Sequence, residues 1–464
     1  MTSDLNRRQA LAIFSSWGTL FGISGFMNPT VSAGHWTMKL PGRVLDVSHN
    51  YELDLQSEGV VLLGPDEDAK KVAFTMGSQQ AFTERAVISD GGSRMASRLY
   101  TKAEMTKRFG AIDPETVSIP STPLAILAMP ERPESGRMTF HSFDQPMTSQ
   151  VAGMLQVPLS PIWLDELATV LFSQKAKLSI GERTNLSADL VAKLFCLEEI
   201  RETSIVCEVE KANETQAVLK ISGDATGRSL DVASKIRVNA SVRAIFETQS
   251  LSQLRASFFE QREKGAISPA YAATTKIKLD QLPASVEITA ATIRQQQASA
   301  SRSPVLKYSS APNRAEFQHN PQWHLVLDQK GAAIWRLISD GEPMTQCNML
   351  FSAVADKNDI DLTAFVREVT ESLKENAATI VTQESLRGIN QSQIYRVEAI
   401  GTENDIELNW VYYLVTDPNG RRAQLVFVTD AQLKEAVGKT DMMIAESLQM
   451  QAPPVASNSE STAK

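Results

Sequence analysis

Residues 234–248 read SKIRVNASVRAIFET, and this stretch decides the fold of the longer part of the chain. Apolar side chains occupy every second position, and most residues between them are polar or charged. A period of two is typical of a β-strand with one face in a core and the other in water. The stretch therefore predicts a curved antiparallel sheet with one buried face, closed on a helix or on itself. The apolar positions are Ile236, Val238, Ala240, Val242, Ala244 and Phe246.

The residues before this stretch continue the same pattern. Residues 204–210 and 216–222 are predicted strands, and we expect Gly223–Gly227 to be the turn that follows them. The alternating segment Tyr51–Gln56 begins the region, and Ser187 can cap one of its few helices. These features predict a β-rich α+β domain over residues 46–290, with one or two subdomains.

The C-terminal region, residues 317–450, has a different order of elements. An amphipathic helix carrying Phe365 and Val369 follows the third strand, and Asp430 can cap a closing helix. The turn Asp417–Gly420 joins the last two strands, because proline favours the first central turn position and glycine accepts a positive φ. The predicted strands are 323–327, 333–339, 344–354, 379–386, 393–401, 406–416 and 423–429.

This order of elements, with Trp410–Val415 before the turn and Leu425–Val428 after it, resembles the PsbP-like fold. The resemblance implies an α+β domain and an accessory or scaffold role, because that family works largely by binding partners. No functional residue of the family can be transferred to this chain. Residues 46–290 are similar to uncharacterised β-rich bacterial envelope proteins. The expected class is therefore α+β: a β-rich domain with an antiparallel sheet and few helices, then a PsbP-like domain with an antiparallel sheet.

Two segments contain little that a core could bury. Residues 291–316 are rich in glutamine, serine and alanine and contain two prolines, which predicts a disordered linker. Residues 451–464 are similarly polar and predict a disordered tail. The linker would separate the two domains.

The first 33 residues are typical of an export signal. Arg7 and Arg8 precede an apolar run from Ala10 to Phe26, and we expect cleavage after Ala33. The paired arginines partly fit a twin-arginine signal, and the apolar run is at the short limit of an uncleaved membrane anchor. The sequence thus predicts a periplasmic or secreted protein that meets the membrane only through this segment.

Composition argues against two classes of protein. A net charge of −8 does not suit a nucleic-acid binder, which needs a basic face to neutralise phosphates. Three cysteines are too few for a disulfide scaffold. Cys196 and Cys207 could form a disulfide in an oxidising compartment, or they could be two small buried side chains.

Candidate metal and catalytic residues are sparse. His319 and His324 flank a proline turn and could share a metal ion, but no cysteine or acidic cluster adjoins them. A hydrogen-bonded turn is the simpler interpretation, and we expect no metal and no other cofactor. No motif for nucleophilic catalysis is present, and carboxylates such as Glu198 and Asp224 are dispersed. The sequence leaves enzymatic activity open and favours its absence.

Aromatic residues on one predicted strand are the candidate binding residues. Because neighbouring strand residues point to opposite faces, Trp410, Tyr412 and Tyr413 place bulky groups on both faces. One face is core, and the other is either a partner-binding surface beside Arg421 and Arg422 or is covered by a helix.

Three functions fit the sequence. The first is a non-catalytic envelope protein that binds an unknown protein partner or acts as a scaffold. The second is a carrier or sensor of an apolar ligand held between a curved sheet and a helix, and the third is a hydrolase with dispersed carboxylates. The first is favoured because it accounts for export, acidity and the lack of a catalytic motif.

Overall fold

A computed structural model describes residues 36–37 and 47–451, apart from 64–68, 89–93, 133–134, 144–145, 174–176, 230–231, 246–249, 266–267, 301–304, 340–341 and 353–360. The predicted signal and all but the first residue of the predicted tail lie outside the described residues. The chain forms two compact units that divide after Val305, within the segment that the sequence marks as a linker. No described helix has the length and apolar character needed to cross a membrane.

The described part of the protein is mostly β, with 59% of its residues in strands and 18% in helices. The predicted α+β class, with a PsbP-like second domain, is therefore wrong. Strands are much longer than the usual five or six residues, as β3 shows with 19 residues from Lys70 to Ile88. The helices do not form a layer comparable to the sheets, because they only cover sheet faces.

The first unit contains most of the strands. Its elements are β1 (Trp36–Thr37), β2 (His49–Leu63), β3 (Lys70–Ile88), β4 (Arg94–Phe109), β5 (Glu115–Ser118), β6 (Leu124–Pro130), β7 (Met138–Ser142), β8 (Met147–Thr148), α1 (Ser149–Leu155), α2 (Pro161–Ser173), β9 (Lys177–Leu178), β10 (Arg183–Asn185), α3 (Ala188–Phe195), β11 (Glu199–Thr203), β12 (Val206–Ala212), β13 (Gln216–Ser229), β14 (Val232–Ile245), β15 (Ser250–Arg262), β16 (Tyr271–Leu282) and α4 (Ala290–Ala300).

One antiparallel sheet of 13 strands dominates this unit. Its order is β10-β12-β13-β14-β15-β16-β2-β3-β4-β6-β7, with β11 paired to β13 and β5 paired to β4. Strands β2 and β16 pair along their lengths, from Val61 opposite Tyr271 to Asn50 opposite Leu282. This pairing joins the early and late parts of the unit into one continuous sheet.

The strand predicted over 234–248 is confirmed as β14 as far as Ile245, with alternate residues buried, and residues 246–248 lie outside the described residues. The turn predicted at Gly223–Gly227 is wrong, because β13 continues through it to Ser229. The glycines are needed for close packing instead. A Cβ on Gly223 would lie 2.5 Å from the carbonyl oxygen of Ser204, and one on Gly227 would lie 2.2 Å from that of Glu199. The neighbouring backbone therefore passes directly over these two positions.

Helix α2 lies against the inward face of the sheet and is buried on nearly every side. Residues 161–165, Leu167, Ala168 and Leu171 are all buried. The helix contacts β4, β15 and α3. Because three strands separate β4 from β15, the sheet must curve around the helix to contact it from both sides. The curved sheet predicted from residues 234–248 thus closes on a helix.

A buried ion pair lies on the inward face at β3 and β4. Arg98 Nε donates a hydrogen bond to Glu84 Oε2 at 2.7 Å, and the two side chains are 3% and 2% exposed. Arg98 Nη1 also donates to the hydroxyl of Tyr100 at 3.2 Å. Burial raises the pKa of Tyr100, so this hydroxyl stays neutral.

A second buried ion pair lies on the same face at β15. Arg262 Nη2 donates to Glu260 Oε1 at 2.8 Å, and both side chains are 2% exposed. The hydroxyls of Tyr271 and Ser234 donate to the same carboxylate, at 2.7 and 2.8 Å. Both carboxylates are thus paired with a cation within the sheet, as buried charges require. Each arginine still has one buried nitrogen, Arg98 Nη2 or Arg262 Nε, without a hydrogen-bond partner among the described residues.

The predicted disordered linker is partly ordered. Helix α4 covers Ala290–Ala300, buries Ile293 and Gln296, and contacts β6. Just before it, Arg85 Nη1 donates to the carbonyl oxygen of Ile288 at 2.5 Å. The low apolar content of this segment favoured a disordered linker, but the helix needs few apolar residues because only one of its sides is buried against the sheet.

The second unit contains the remaining elements. They are β17 (Leu306–Ser310), β18 (Ala315–His319), β19 (Trp323–Gln329), β20 (Ala332–Ser339), β21 (Glu342–Ser352), α5 (Leu362–Ser372), β22 (Thr379–Arg387), β23 (Gln393–Glu403), β24 (Ile406–Thr416), β25 (Arg422–Asp430), α6 (Lys434–Val437), α7 (Thr440–Ser447) and β26 (Gln449–Met450). The strands and helices predicted between 323 and 450 are found individually, apart from residues 353–354, which lie outside the described residues. The class built from them was wrong.

A sheet of seven strands organises this unit, in the order β19-β20-β21-β25-β24-β23-β22. One face forms a core with α7 and β18, which includes Trp335, Tyr413 and Phe427. The other face packs against α5, where Phe365 and Val369 are 1% exposed. Both faces of the central strands are therefore covered by apolar side chains.

His319 lies within the first of these cores. It is fully buried, and its ring is 5.0 Å from that of Trp335 and 6.0 Å from that of Phe317. Its Nδ1 lies 2.7 Å from the carbonyl oxygen of Asn320, which fits a ring N–H donor. Burial lowers the pKa of His319 to about 4.

We expect Arg98→Met to destabilise the first unit strongly, because it leaves the buried Glu84 carboxylate without its cation. The expected loss is about 3–5 kcal/mol in the free energy of unfolding. Arg237→Met is the matched control, since Arg237 bonds Asp224 at the same kind of distance, 2.8 Å, with side chains 75% and 60% exposed. It should cost less than about 1 kcal/mol. Urea unfolding followed by circular dichroism measures both, and equal losses would contradict the prediction.

We also expect His319→Gln to weaken the acid sensitivity of the second unit. Below about pH 6.5 the unfolded histidine binds a proton that the folded one, with its pKa of about 4, does not. Stability is therefore lost as pH falls from about 6.5 to 4. Between pH 7 and 4.5 the wild type should lose roughly 2–3 kcal/mol more than the variant. Urea unfolding at each pH tests this, and parallel pH curves would refute it.

Candidate functional site

The predicted aromatic binding residues are buried. Trp410, Tyr412 and Tyr413 are 4%, 8% and 0% exposed. Trp410 and Tyr412 pack against α5, and Tyr413 points into the opposite core. The structure therefore corresponds to the alternative in which a helix covers the second aromatic face, and these residues form no exposed binding surface.

Arg421 and Arg422 follow the turn before β25. Arg421 Nε donates to Asp417 Oδ2 at 2.6 Å, and both side chains are largely buried. Arg422 is half-buried at the start of β25. Arg421 thus holds the turn together, and the two arginines do not form a basic patch with the aromatic residues.

The histidines and cysteines lie in structural positions. His319 is buried, whereas His324 is half-buried on β19. No group of three metal-ligating side chains occurs among the residues that the structure describes. Cys196 and Cys207 are free and buried, so the predicted disulfide is not formed. Burial raises the pKa of each thiol to about 12.

The carboxylates considered for catalysis lie apart. Glu198 bonds Arg137 at 3.2 Å. Asp224 bonds Arg237 at an exposed position on the sheet. Each is engaged by an arginine, which suits a structural role better than general acid–base chemistry.

Helices α1–α3 cover the inward face of the large sheet. Gln80 Nε2 donates to the carbonyl oxygen of Met154 at 2.8 Å, which ties β3 to α1. Phe195 at the end of α3 packs edge-on against Phe258 of β15, with ring centroids 5.7 Å apart. An apolar ligand held between this sheet and its helices would have to displace these contacts.

A buried polar network connects β23, β24 and α7 in the second unit. The hydroxyl of Tyr413 donates to Asp441 Oδ2 at 2.7 Å and accepts from Arg396 Nε at 3.2 Å. Arg396 also bonds Glu398 at 2.8 Å, and Lys434 contacts the same carboxylate. Burial by itself raises the pKa of Glu398, but the hydrogen bonds from Lys434 and Arg396 outweigh it and lower that pKa. The network anchors the closing helices and leaves no free catalytic group.

Strand β22 provides the clearest candidate surface. It ends the seven-stranded sheet and pairs with β23 on one side. Among the described residues no strand pairs with its other side. Its side chains alternate between exposed and half-buried over all nine residues, so this edge faces outward. An outward edge presents N–H and C=O groups to a further strand.

Exposed apolar side chains occur on β22 and in the turn after it. Val381, at a β-bulge between Ile380 and Thr382, is 48% exposed, and Ile389 in the turn is 71% exposed. Ile406 is 51% exposed but lies at the start of β24, which β23 separates from β22. Among the described residues of this unit, the remaining large apolar side chain with similar exposure is Leu350, at 55%. Apolar groups beside unpaired backbone are typical of an interaction site.

Sequence reasoning identified the strand over 379–386 but not its role. Period-two patterns show that a segment is a strand, whereas strand order depends on pairings distant in the sequence. A weak signal was present in Thr379–Thr382, where four consecutive residues favour strands but the two apolar ones, Ile380 and Val381, are adjacent instead of alternating as on a core face.

Comparisons with known proteins identify no family. No family model matches the chain, and no curated protein matches it. The predicted resemblance to the PsbP-like fold is therefore wrong, and the similarity to uncharacterised envelope proteins finds no support. That prediction depended on the order of elements, and many sheets interrupted by one helix share such an order.

Solved structures give only weak likenesses. The outer membrane protein OpdK from Pseudomonas aeruginosa is 6% identical, covering 84% of this chain and 99% of its own, with a TM-score of 0.12. A mutant Rhodopseudomonas blastica porin is 7% identical, with coverages of 82% and 98% and a TM-score of 0.11. OpdG from Pseudomonas aeruginosa is 8% identical, with coverages of 84% and 99% and a TM-score of 0.12. Likenesses this weak assign neither a fold nor a family to the chain.

Proposed function

We propose that this chain is an exported, non-catalytic envelope protein that binds a protein partner by adding a strand to the free edge of β22. The observation that carries the proposal is the nine-residue edge of β22, with Val381 exposed on the strand and Ile389 exposed in the turn after it. Strand addition is a common way for proteins to recognise an extended segment.

Backbone geometry supports this mode of binding. In an antiparallel pair, alternate residues turn both their N–H and C=O groups towards the partner, so about four residues of β22 can bond an added strand. Each such hydrogen bond contributes about 1 kcal/mol net, because water competes for the same groups. The exposed apolar side chains add the non-directional part of the affinity.

The location follows from the N-terminus. Arg7 and Arg8, the apolar run and the small residues before Gly34 are typical of an export signal, which would bring the chain to the periplasm or the cell surface. An exported protein meets few cytosolic partners, so we infer that its partner also belongs to the envelope.

Val381→Lys tests the proposed function. A lysine on an edge strand opposes pairing with a further strand, and natural edges use it for this purpose. The tagged protein is isolated from the envelope of its host, and associated protein is quantified, including untagged copies of the chain itself. We expect the amount of the most abundant stoichiometric partner to fall at least tenfold in the variant.

Val60→Lys is the matched control for this experiment. Val60 is 39% exposed, close to the exposure of Val381, but lies on β2, which pairs on both sides. The control should retain the associate. If Val381→Lys retains it as well, the edge of β22 is not the binding site.

A further inference from the structure

We infer that the partner at this edge is a second copy of the chain, whose β22 pairs antiparallel with the first about a twofold axis. The inference rests on the proposed function and adds the identity of the partner. It follows from the distribution of charge around β22, which differs between the two ends of the strand.

The start of β22 is acidic. Glu375 lies four residues before the strand, and the hairpin between β23 and β24 carries Glu403, Asp405 and Glu407. All four side chains are exposed. Because Thr379 pairs with Ile400, this hairpin projects just beyond the first residue of β22. The free edge therefore begins beside a group of negative charges.

The end of β22 is basic. Arg387 is its last residue and is exposed. A strand of nine residues extends roughly 27–30 Å at about 3.3 Å per residue. Screening in physiological salt acts over about 8 Å, so Arg387 and the acidic hairpin of the same copy hardly interact.

Antiparallel pairing with a second copy brings these opposite charges together. Arg387 of each copy then approaches the end of the other β22 beyond which the acidic hairpin projects, and the twofold axis brings this about twice. Parallel pairing would instead place the two acidic hairpins side by side, where they would repel each other. The charges thus favour an antiparallel added strand, and a second copy of β22 has the charges that match it.

Apolar contacts reinforce the pairing. The twofold axis contributes Val381 and Ile389 from each copy to one surface, which removes four exposed apolar side chains from water. The interface is small compared with the 20–30 residues per side of a standard one, so we expect a dissociation constant of about 10 µM.

Analytical ultracentrifugation of the purified exported chain between 1 and 100 µM tests the inference. We expect a monomer–dimer equilibrium in the wild type, no change with Val60→Lys, and loss of the dimer with Val381→Lys. Arg387→Glu alone, or Glu403→Lys with Glu407→Lys, should weaken the dimer about tenfold, because each change places like charges together at both contacts. The triple variant should recover the wild-type affinity, because its reversed charges attract again.

The outcomes separate the two proposals. A wild type that stays monomeric at 100 µM overturns the second copy as partner, while loss of another envelope protein with Val381→Lys would still support strand addition. A dimer that persists in Val381→Lys and Arg387→Glu overturns the inference, because the copies then meet elsewhere. The inference is also overturned if the triple variant dimerises no more tightly than Arg387→Glu, since only self-pairing brings residue 387 of one copy near residues 403 and 407 of the other. Circular dichroism of each variant confirms folding.

Discussion

The first unit depends on covering one apolar face of a very long antiparallel sheet. Each strand alternates between inward and outward residues, so 13 paired strands present a single continuous apolar surface that water disfavours. Helix α2 is buried on nearly every side because the sheet curves around it. Glycines 223 and 227 serve the same end, because they allow neighbouring backbone to lie against β13. Curvature, helix placement and close packing thus follow from one requirement.

Buried ion pairs are the exception within that apolar face. Arg98 with Glu84, and Arg262 with Glu260, are almost completely removed from water. Such pairs contribute little net stability, since the loss of hydration offsets the attraction between the charges. A wrong strand register would nevertheless cost much free energy, because a strand shifted by one residue would turn one charge outward and leave its partner buried and unpaired. We interpret them as groups that favour one strand register.

The second unit solves a different problem, because both faces of its sheet are apolar. Trp410 and Tyr412 need α5, and Tyr413 needs α7, so the aromatic strand at the centre of the sheet is fully enclosed. The covering elements protect the faces but not the edge. Strand β22 keeps an unpaired edge with Val381 exposed, and it contains a β-bulge between Ile380 and Thr382 but neither the lysine nor the proline that usually protects an edge. An interaction at this edge would explain their absence.

Local patterns in the sequence determined much of this protein. Period-two alternation placed β14, and strand and helix signals placed each element between 323 and 450, because these depend on neighbours along the chain. Tertiary structure alone decided that β2 pairs with β16, that residues 290–300 form a packed helix, and that β22 ends its sheet. The aromatic site was misplaced for the same reason: a sequence shows that Tyr412 and Tyr413 face opposite ways, but what covers each face is set by elements far away in the chain.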